Sequence, residues 1–226
     1  MSVFSSLSYP STAVRELIVA FAGEQLLIEL AVPNDPSGVI LMAHGNGNVV
    51  RRRSMASYLR DFGFATATCH LLTPGERTVA QAIKRVAIDV SLLTARLAVM
   101  SGAIRIEPEL AGLPIGIAAS GTLAAAALTF ASRHPRDAGA IVSRAGRVDL
   151  VSQPETVRCP TLLIAGASDA ETIRINDAVF QRLCCTKGYD VLAGAAHRFD
   201  DPRTFELVSK LTCDWFLTHL SGGVTA

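Results

Sequence analysis

Short runs of apolar residues alternate along this chain with segments whose apolar positions recur at helical spacing. Runs such as 37–45 (SGVILMAHG) and 113–120 (LPIGIAAS) are continuous and end at turn residues, which is typical of buried strands. The segments 122–133 and 205–220 instead predict helices. This alternation favours the α/β class, with a mostly parallel central sheet and helices on both of its faces.

The pattern predicts one domain over 1–226, with flexible ends at 1–10 and 221–226 and with a minimal lid or none. An antiparallel hairpin is expected over 14–33, turned at Gly23–Glu24. The other predicted elements follow in chain order: a helix at 54–62, a strand at 64–72, a long helix at 77–101, strands at 138–146 and 159–168, a helix at 174–184 and a short strand at 189–194.

Composition and charge argue against a nucleic-acid-binding or membrane-spanning protein. Half of the residues are apolar, 18% are charged and the formal net charge is +1, so no strong field attracts nucleic acid. No apolar run reaches the length of a membrane helix, and the first residues lack the pattern of a secretory signal. Five cysteines without metal-ligand spacing are typical of free thiols in a reducing cytoplasm. We expect a cytoplasmic protein with a small-molecule substrate and no cofactor or metal; a homodimer is permitted but not required.

Four strand ends carry side chains suited to catalysis, and open α/β sheets bind their ligands at that edge. The first is the glycine-rich turn His44–Asn48, where the amides of Gly45 and Asn46 could hold an oxyanion and His44 could contact the substrate. A turn that merely needs glycine, with His44 packed in the core, explains the same residues.

The other strand ends supply a candidate nucleophile, acid and base. Ser120 lies between a strand and an Ala-rich helix, as in a nucleophile elbow, and Gly121 would then supply a second oxyanion amide. A helix N-cap explains Ser120 equally well. Asp169 and His197 follow two later strands. Taken singly, Asp169 is equally a helix cap and His197 a surface residue of a loop. The order of nucleophile, Asp and His, with a strand and a helix between neighbours, favours a Ser-Asp-His catalytic triad.

Taken together, these segments resemble the dienelactone-hydrolase-like branch of the α/β-hydrolases from about Gly38 to Leu220. The resemblance is carried by the stretches MAHGNGN, FATATCHLLTPGE, GLPIGIAASGTLAAAAL, AIVSRAGRVDL, CPTLLIAGASD, LAGAAHRFDDP and WFLTHL. It implies the α/β-hydrolase fold, a Ser or Cys nucleophile at the elbow, Asp169 as the acid and His197 as the base. It also implies an oxyanion hole formed by the backbone after His44 and by the residue after the nucleophile.

The elbow departs from the family pattern, which has Gly-Ala-Ser-Thr-Gly at this place. An ungapped match puts the nucleophile position on Gly121, beside the bulky Leu123. A slip of one residue restores Ser120, between the smaller Ala118 and Thr122. Because an elbow turn is tight and needs small neighbours, local sterics favour Ser120. The sequence leaves both registers open.

Basic and polar residues near the other strand ends are candidates for substrate binding. Arg144 follows an apolar run and could bind a substrate carboxylate with two nitrogens of its guanidinium. Arg51–Arg53 are more simply the solvated start of a helix. Cys69 and His70 could line the pocket, although core packing explains Cys69 as well.

The sequence thus predicts a hydrolase of a small-molecule ester, lactone or related acyl bond. Ser120 would attack the carbonyl carbon, His197 would move the proton, and Asp169 would hold the imidazole tautomer. A second class stays open, in which the fold lacks a working nucleophile and acts as a lyase, isomerase or cyclase through acid–base chemistry at His197 and Asp169. A non-catalytic binding protein on the same scaffold is the third, because fold does not fix function.

Overall fold

The structure, a computed structural model, describes residues 13–45, 48–82, 89–197 and 199–220. The ends that the sequence predicts to be flexible, 1–10 and 221–226, lie outside these ranges. Strands and helices alternate through the described chain as the apolar pattern predicts. No helix in the described ranges is long and apolar enough to cross a membrane.

Eight strands form one sheet. They are β1 (Val14–Phe21), β2 (Glu24–Ala31), β3 (Gly38–His44), β4 (Phe64–His70), β5 (Ile115–Gly121), β6 (Ala140–Gly146), β7 (Thr161–Gly166) and β8 (Lys187–Leu192). The helices are α1 (Val49–Asp61), α2 (Pro74–Ala82), α3 (Val90–Arg105), α4 (Thr122–Arg133), α5 (Ala170–Arg182) and α6 (Pro202–Leu220).

The spatial order of the strands is β1-β2-β4-β3-β5-β6-β7-β8. β1 pairs with β2, and β2 with β4, in antiparallel register, whereas every pairing from β4 to β8 is parallel. The prediction of a mostly parallel sheet is confirmed. After β3 the chain crosses to β4 on one side and returns to β5 on the other, so a crevice opens between the ends of β3 and β5.

Helices cover both faces of the sheet, and each face has its own apolar core. Ile40 of β3 belongs to a cluster that includes Leu59 of α1 and Phe216 of α6. Leu41, which points to the opposite face, belongs to a cluster that includes Leu97 of α3 and residues of α4 and α5. Successive side chains of a strand point to opposite faces of the sheet. Because both faces are packed against apolar cores, the sequences of the central strands are unbroken apolar runs.

Several predicted bounds shift by up to five residues, and two of the differences have a clear local cause. The long helix predicted over 77–101 is instead α2 followed by a new helix, α3. Asp89 has extended backbone and its side chain accepts a hydrogen bond from Ser91 N at 2.8 Å, so it caps a fresh helix start. The hairpin turn lies at Ala22–Gly23, one residue before the predicted position, where both residues have positive φ as a two-residue turn requires.

Candidate active site

Asp169 and His197 lie side by side at the carboxyl edge of the sheet. Asp169 follows β7, His197 lies in the loop after β8, and these two strands are neighbours. The Nδ1 of His197 is hydrogen-bonded to Oδ2 of Asp169. When Nδ1–H is the donor of this hydrogen bond, Nε2 of the neutral imidazole is free to accept a proton. The side chain of His197 is half exposed, whereas that of Asp169 is mostly buried.

Thr172, which the sequence interpretation missed, fixes the carboxylate of Asp169. Its hydroxyl donates to Oδ2 at 2.5 Å and its amide donates to Oδ1 at 3.0 Å. Partial burial raises the pKa of Asp169, but the hydrogen bonds from Thr172 and His197 outweigh it, so the pKa lies below its ordinary value. The spacing Asp-x-x-Thr at a helix start was the available signal, since Asp169 is the N-cap of α5.

A glycine lets the loop that carries His197 cross the end of β7. A Cβ placed on Gly166 would lie 2.6 Å from the carbonyl oxygen of Ala195 and 2.7 Å from that of Ala196. Ser168 N also donates to the Ala195 carbonyl at 3.0 Å. The close approach of these two backbones sets the height of the imidazole above the sheet, and it requires glycine at position 166.

Gly121 lies at the tip of the turn between β5 and α4. Its backbone has φ +55° and ψ −135°, in a region that only glycine enters without strain. Its pairing with β6 shifts by one residue, and its carbonyl accepts a hydrogen bond from Arg147 N at 3.0 Å. A Cβ at this position would meet no neighbouring heavy atom within 4 Å. A side chain on the tip would therefore project into open space.

The prediction that Ser120 occupies this tip disagrees with the structure. Ser120 is an extended residue of β5, in register with Arg144 of β6, and its side chain follows Ala118 onto the face covered by α1 and α6. Among the described residues no hydrogen bond joins Ser120 to His197. Glycine at position 121 accepts the strained conformation without cost, and the size of neighbouring residues does not reveal this. With Gly121 at the tip, the amide after the tip belongs to Thr122.

The turn after β3 lies next to the same elbow. A Cβ on Gly45 would stand 3.6 Å from Cδ1 of Leu123, in the first turn of α4. The proposed first half of the oxyanion hole is thus adjacent to the helix start that would supply the second half. Asn46, the other predicted donor, lies outside the described residues.

Arg144 is an isolated cation in the wall of the site. It lies on β6 on the same face as Ser120 and is partly buried, with its Nε inaccessible and without a hydrogen-bond partner. No hydrogen bond or ion pair to Arg144 is present in the described part of the chain. Burial alone lowers its pKa to about 10, so the guanidinium stays charged at neutral pH. A partly buried guanidinium without a partner is suited to binding an anion.

His44 and His70 end neighbouring strands and pack edge to face, with ring centroids 5.3 Å apart. Arg77 lies 3.0 Å from Nδ1 of His70, and because arginine only donates, that nitrogen is the acceptor. Nε2 of His70 lies 3.4 Å from Glu29. Burial, and next the positive charge of Arg52, lowers the pKa of His44 to about 3. His44 is therefore a neutral wall residue.

Cys69 is buried in the core, where burial raises its pKa to about 12, and it does not line the pocket. In the described ranges no three His, Cys, Asp or Glu side chains cluster in a way that could hold a metal ion.

A scan against protein-family models finds no match. Two curated proteins of Mycobacterium tuberculosis strains, each provisionally named a phosphoribosyl transferase, are 38% identical over 200 residues, or 85% of this chain. The chain spans only 44% of their length. A promiscuous phosphotriesterase of dienelactone-hydrolase-like type from metagenomic libraries has a TM-score of 0.76 at 18% identity, which shows a shared fold alone.

The crystal structure of a dienelactone hydrolase from Anabaena variabilis has a TM-score of 0.86 to this chain. The two are 31% identical, and the match covers 92% of this chain and 99% of that protein. Sequence and fold therefore agree over nearly the whole of both molecules. The chain belongs to the dienelactone-hydrolase-like branch of the α/β-hydrolases.

Proposed function

We propose that this protein hydrolyses an ester, lactone or related acyl bond of a small anionic molecule, with His197 as the base and Asp169 as its partner. The observation that supports the proposal best is the hydrogen-bonded Asp169–His197 pair at the carboxyl edge of an α/β-hydrolase sheet. Asp169 would hold the tautomer and stabilise the imidazolium that forms. The hydrolase neighbours support the same reaction class.

The nucleophile in this proposal is a water molecule rather than Ser120. Gly121 leaves room above the elbow tip, and Ser120 makes no described contact with His197. His197 would take a proton from the water as its oxygen attacks the carbonyl carbon. When the C–O bond to the leaving group breaks, the same proton passes from His197 to the departing oxygen. Amides after His44 and at the start of α4 would hold the oxyanion.

Arg144 supplies the reason to propose an anionic substrate. It lies beside Ser120 at the sheet edge, without an acidic partner among the described residues. A carboxylate or a phosphate group of the substrate would satisfy its guanidinium with two parallel hydrogen bonds. The phosphoribosyl transferase name of the longer relatives makes a phosphorylated sugar one of the anions to test.

The proposal is tested with 4-nitrophenyl acetate and with the anionic mono-4-nitrophenyl glutarate. His197→Ala should lower kcat/KM by roughly 10²- to 10⁴-fold, since it removes the general base. Ser120→Ala should change it by less than about threefold. A fluorophosphonate should leave the wild type unlabelled, as shown by intact-protein mass, and should label Gly121→Ser, which places a hydroxyl at the elbow tip.

Two outcomes would contradict these expectations. Labelling of Ser120 in the wild type, with Ser120→Ala as damaging as His197→Ala, would restore the Ser-Asp-His triad. No ester hydrolysis above the His197→Ala background would refute the hydrolase proposal. The absence of a side-chain nucleophile at the tip would then favour the second candidate, a lyase, isomerase or cyclase that uses the same acid–base pair.

A further inference from the structure

Arg51, in the first turn of α1, binds the segment that follows His197. Its Nη1 donates to the carboxylate of Asp200 and its Nη2 donates to the backbone carbonyl of the same residue. The guanidinium carbon lies 5.8 Å from the centroid of the Phe205 ring, at the start of α6. The side chain of Arg51 is 27% exposed and that of Asp200 is 63% exposed, so the contact lies at the surface.

The two ends of this contact lie next to the two loops of the proposed site, Arg51 at the start of α1 and Asp200 in the segment after His197. On one side, Asn48 caps α1 by accepting a hydrogen bond from Val50 N at 2.9 Å, so Arg51 follows directly on the turn that begins at His44. On the other side, Asp200 comes three residues after His197. The contact with Asp200 therefore joins the start of α1 to the segment that follows the proposed base.

We infer that Arg51 is a positioning residue that holds the His197 loop in its working place. The role of His197 in this inference rests on the proposed function. The contact between Arg51 and Asp200 does not depend on that function. Two donors of one planar guanidinium fix both the carboxylate and the carbonyl of Asp200, which the single point charge of lysine does not reproduce. The sequence pattern, which treats Arg51–Arg53 as a solvated helix start, does not reveal this contact.

The effect is expected in positioning rather than in global stability. A surface ion pair contributes little to folding, so Arg51→Ala should unfold close to the wild-type temperature. A catalytic group displaced by about 1 Å can nevertheless cost on the order of 100-fold in rate. In Arg51→Ala, the amides of the His197 loop should therefore exchange hydrogen faster. The kcat for the neutral ester should fall while its KM stays nearly unchanged.

The test compares Arg51→Ala with Arg53→Ala, a matched control on the exposed side of the same helix. In Arg51→Ala, hydrogen exchange of amides in 193–201 should accelerate about tenfold while β3 and β6 stay protected. The kcat for 4-nitrophenyl acetate should fall roughly ten- to 100-fold. Arg51→Lys should recover only part of both effects, and Arg51→Ala with Asp200→Ala should be no worse than Arg51→Ala alone. Arg53→Ala should match the wild type.

Equal loop exchange in Arg51→Ala and Arg53→Ala would overturn the contact between Arg51 and Asp200. Faster loop exchange with kcat unchanged would overturn the positioning role. If the wild type hydrolyses neither ester above the His197→Ala background, the proposed function fails, and the exchange measurement still decides whether Arg51 holds the loop.

Discussion

The two ends of the proposed site differ in how their functional groups are held. At the β7–β8 end, Asp169, Thr172 and His197 form a connected set of hydrogen bonds that holds both carboxylate oxygens and Nδ1 of the imidazole. At the β5 end, the elbow has the backbone geometry of a nucleophile turn, yet its tip is Gly121. The Asp169–His197 pair is thus complete as a hydrogen-bonded unit, whereas the elbow tip carries no side chain that could act as a nucleophile.

The largest effect is expected at the hydrogen-bonded end. Asp169→Asn keeps an oxygen to cap α5 but loses the charge that orients His197, so kcat should fall roughly 10²- to 10⁴-fold. The control is Asp149→Asn, whose carboxylate pairs with Arg147 away from His197. Steady-state kinetics with 4-nitrophenyl acetate provide the measurement. An Asp169→Asn variant as active as the control would mean that the pair does no catalytic work.

The second prediction concerns the close packing of the His197 loop against Gly166. Gly166→Ala puts a Cβ against the carbonyl oxygens of Ala195 and Ala196, so the free energy of unfolding should fall by about 1–3 kcal/mol and the His197 loop should shift. Urea unfolding measures the stability. Gly102→Ala, in open space on α3, serves as a control and should be neutral or slightly stabilising. Equal stability of the two variants would refute the close-packing argument.

The third prediction addresses the anion site beside the elbow. Arg144→Met should raise KM for mono-4-nitrophenyl glutarate about tenfold and leave KM for 4-nitrophenyl acetate unchanged, because only the anionic ester pairs with the guanidinium. Arg147→Met is the control, since Arg147 is exposed and already paired with Asp149. Equal changes for both esters would show that Arg144 does not recognise the charge. Thermal shifts with glutarate and with ribose 5-phosphate would distinguish carboxylate from phosphate.

The smallest effect concerns the wall of the site. The pKa of His44 is lowered to about 3, so the folded protein binds fewer protons there than the unfolded chain does. Stability from this group is complete above about pH 6.5 and is lost as pH falls towards 3. Over the pH unit below neutrality the loss should be under about 1 kcal/mol. His44→Gln, followed by urea unfolding at pH 7, 6 and 5, should flatten this dependence; an unchanged slope would contradict it.

Local pattern predicts most of the strands and helices, and chain order places Asp169 and His197 at one edge of the sheet. Continuous apolar runs predict strands buried on both faces, because both faces of a parallel sheet are covered by helices. Asp169 and His197 were predicted from their order after successive strands, since carboxyl ends of parallel strands share one edge. The break between α2 and α3 was missed because a cap such as Asp89 competes with an apolar period that continues past it.

The fold class and the closeness of Asp169 and His197 at one edge of the sheet thus follow from local pattern and chain order. Tertiary structure decided the register of the elbow, because a backbone φ of +55° at Gly121 follows from how β5, β6 and α4 meet. It also decided which charges have partners. Arg51 finds Asp200 across 149 positions of chain, while Arg144 finds none in the described residues, and such long-range pairing leaves no periodic trace in the sequence.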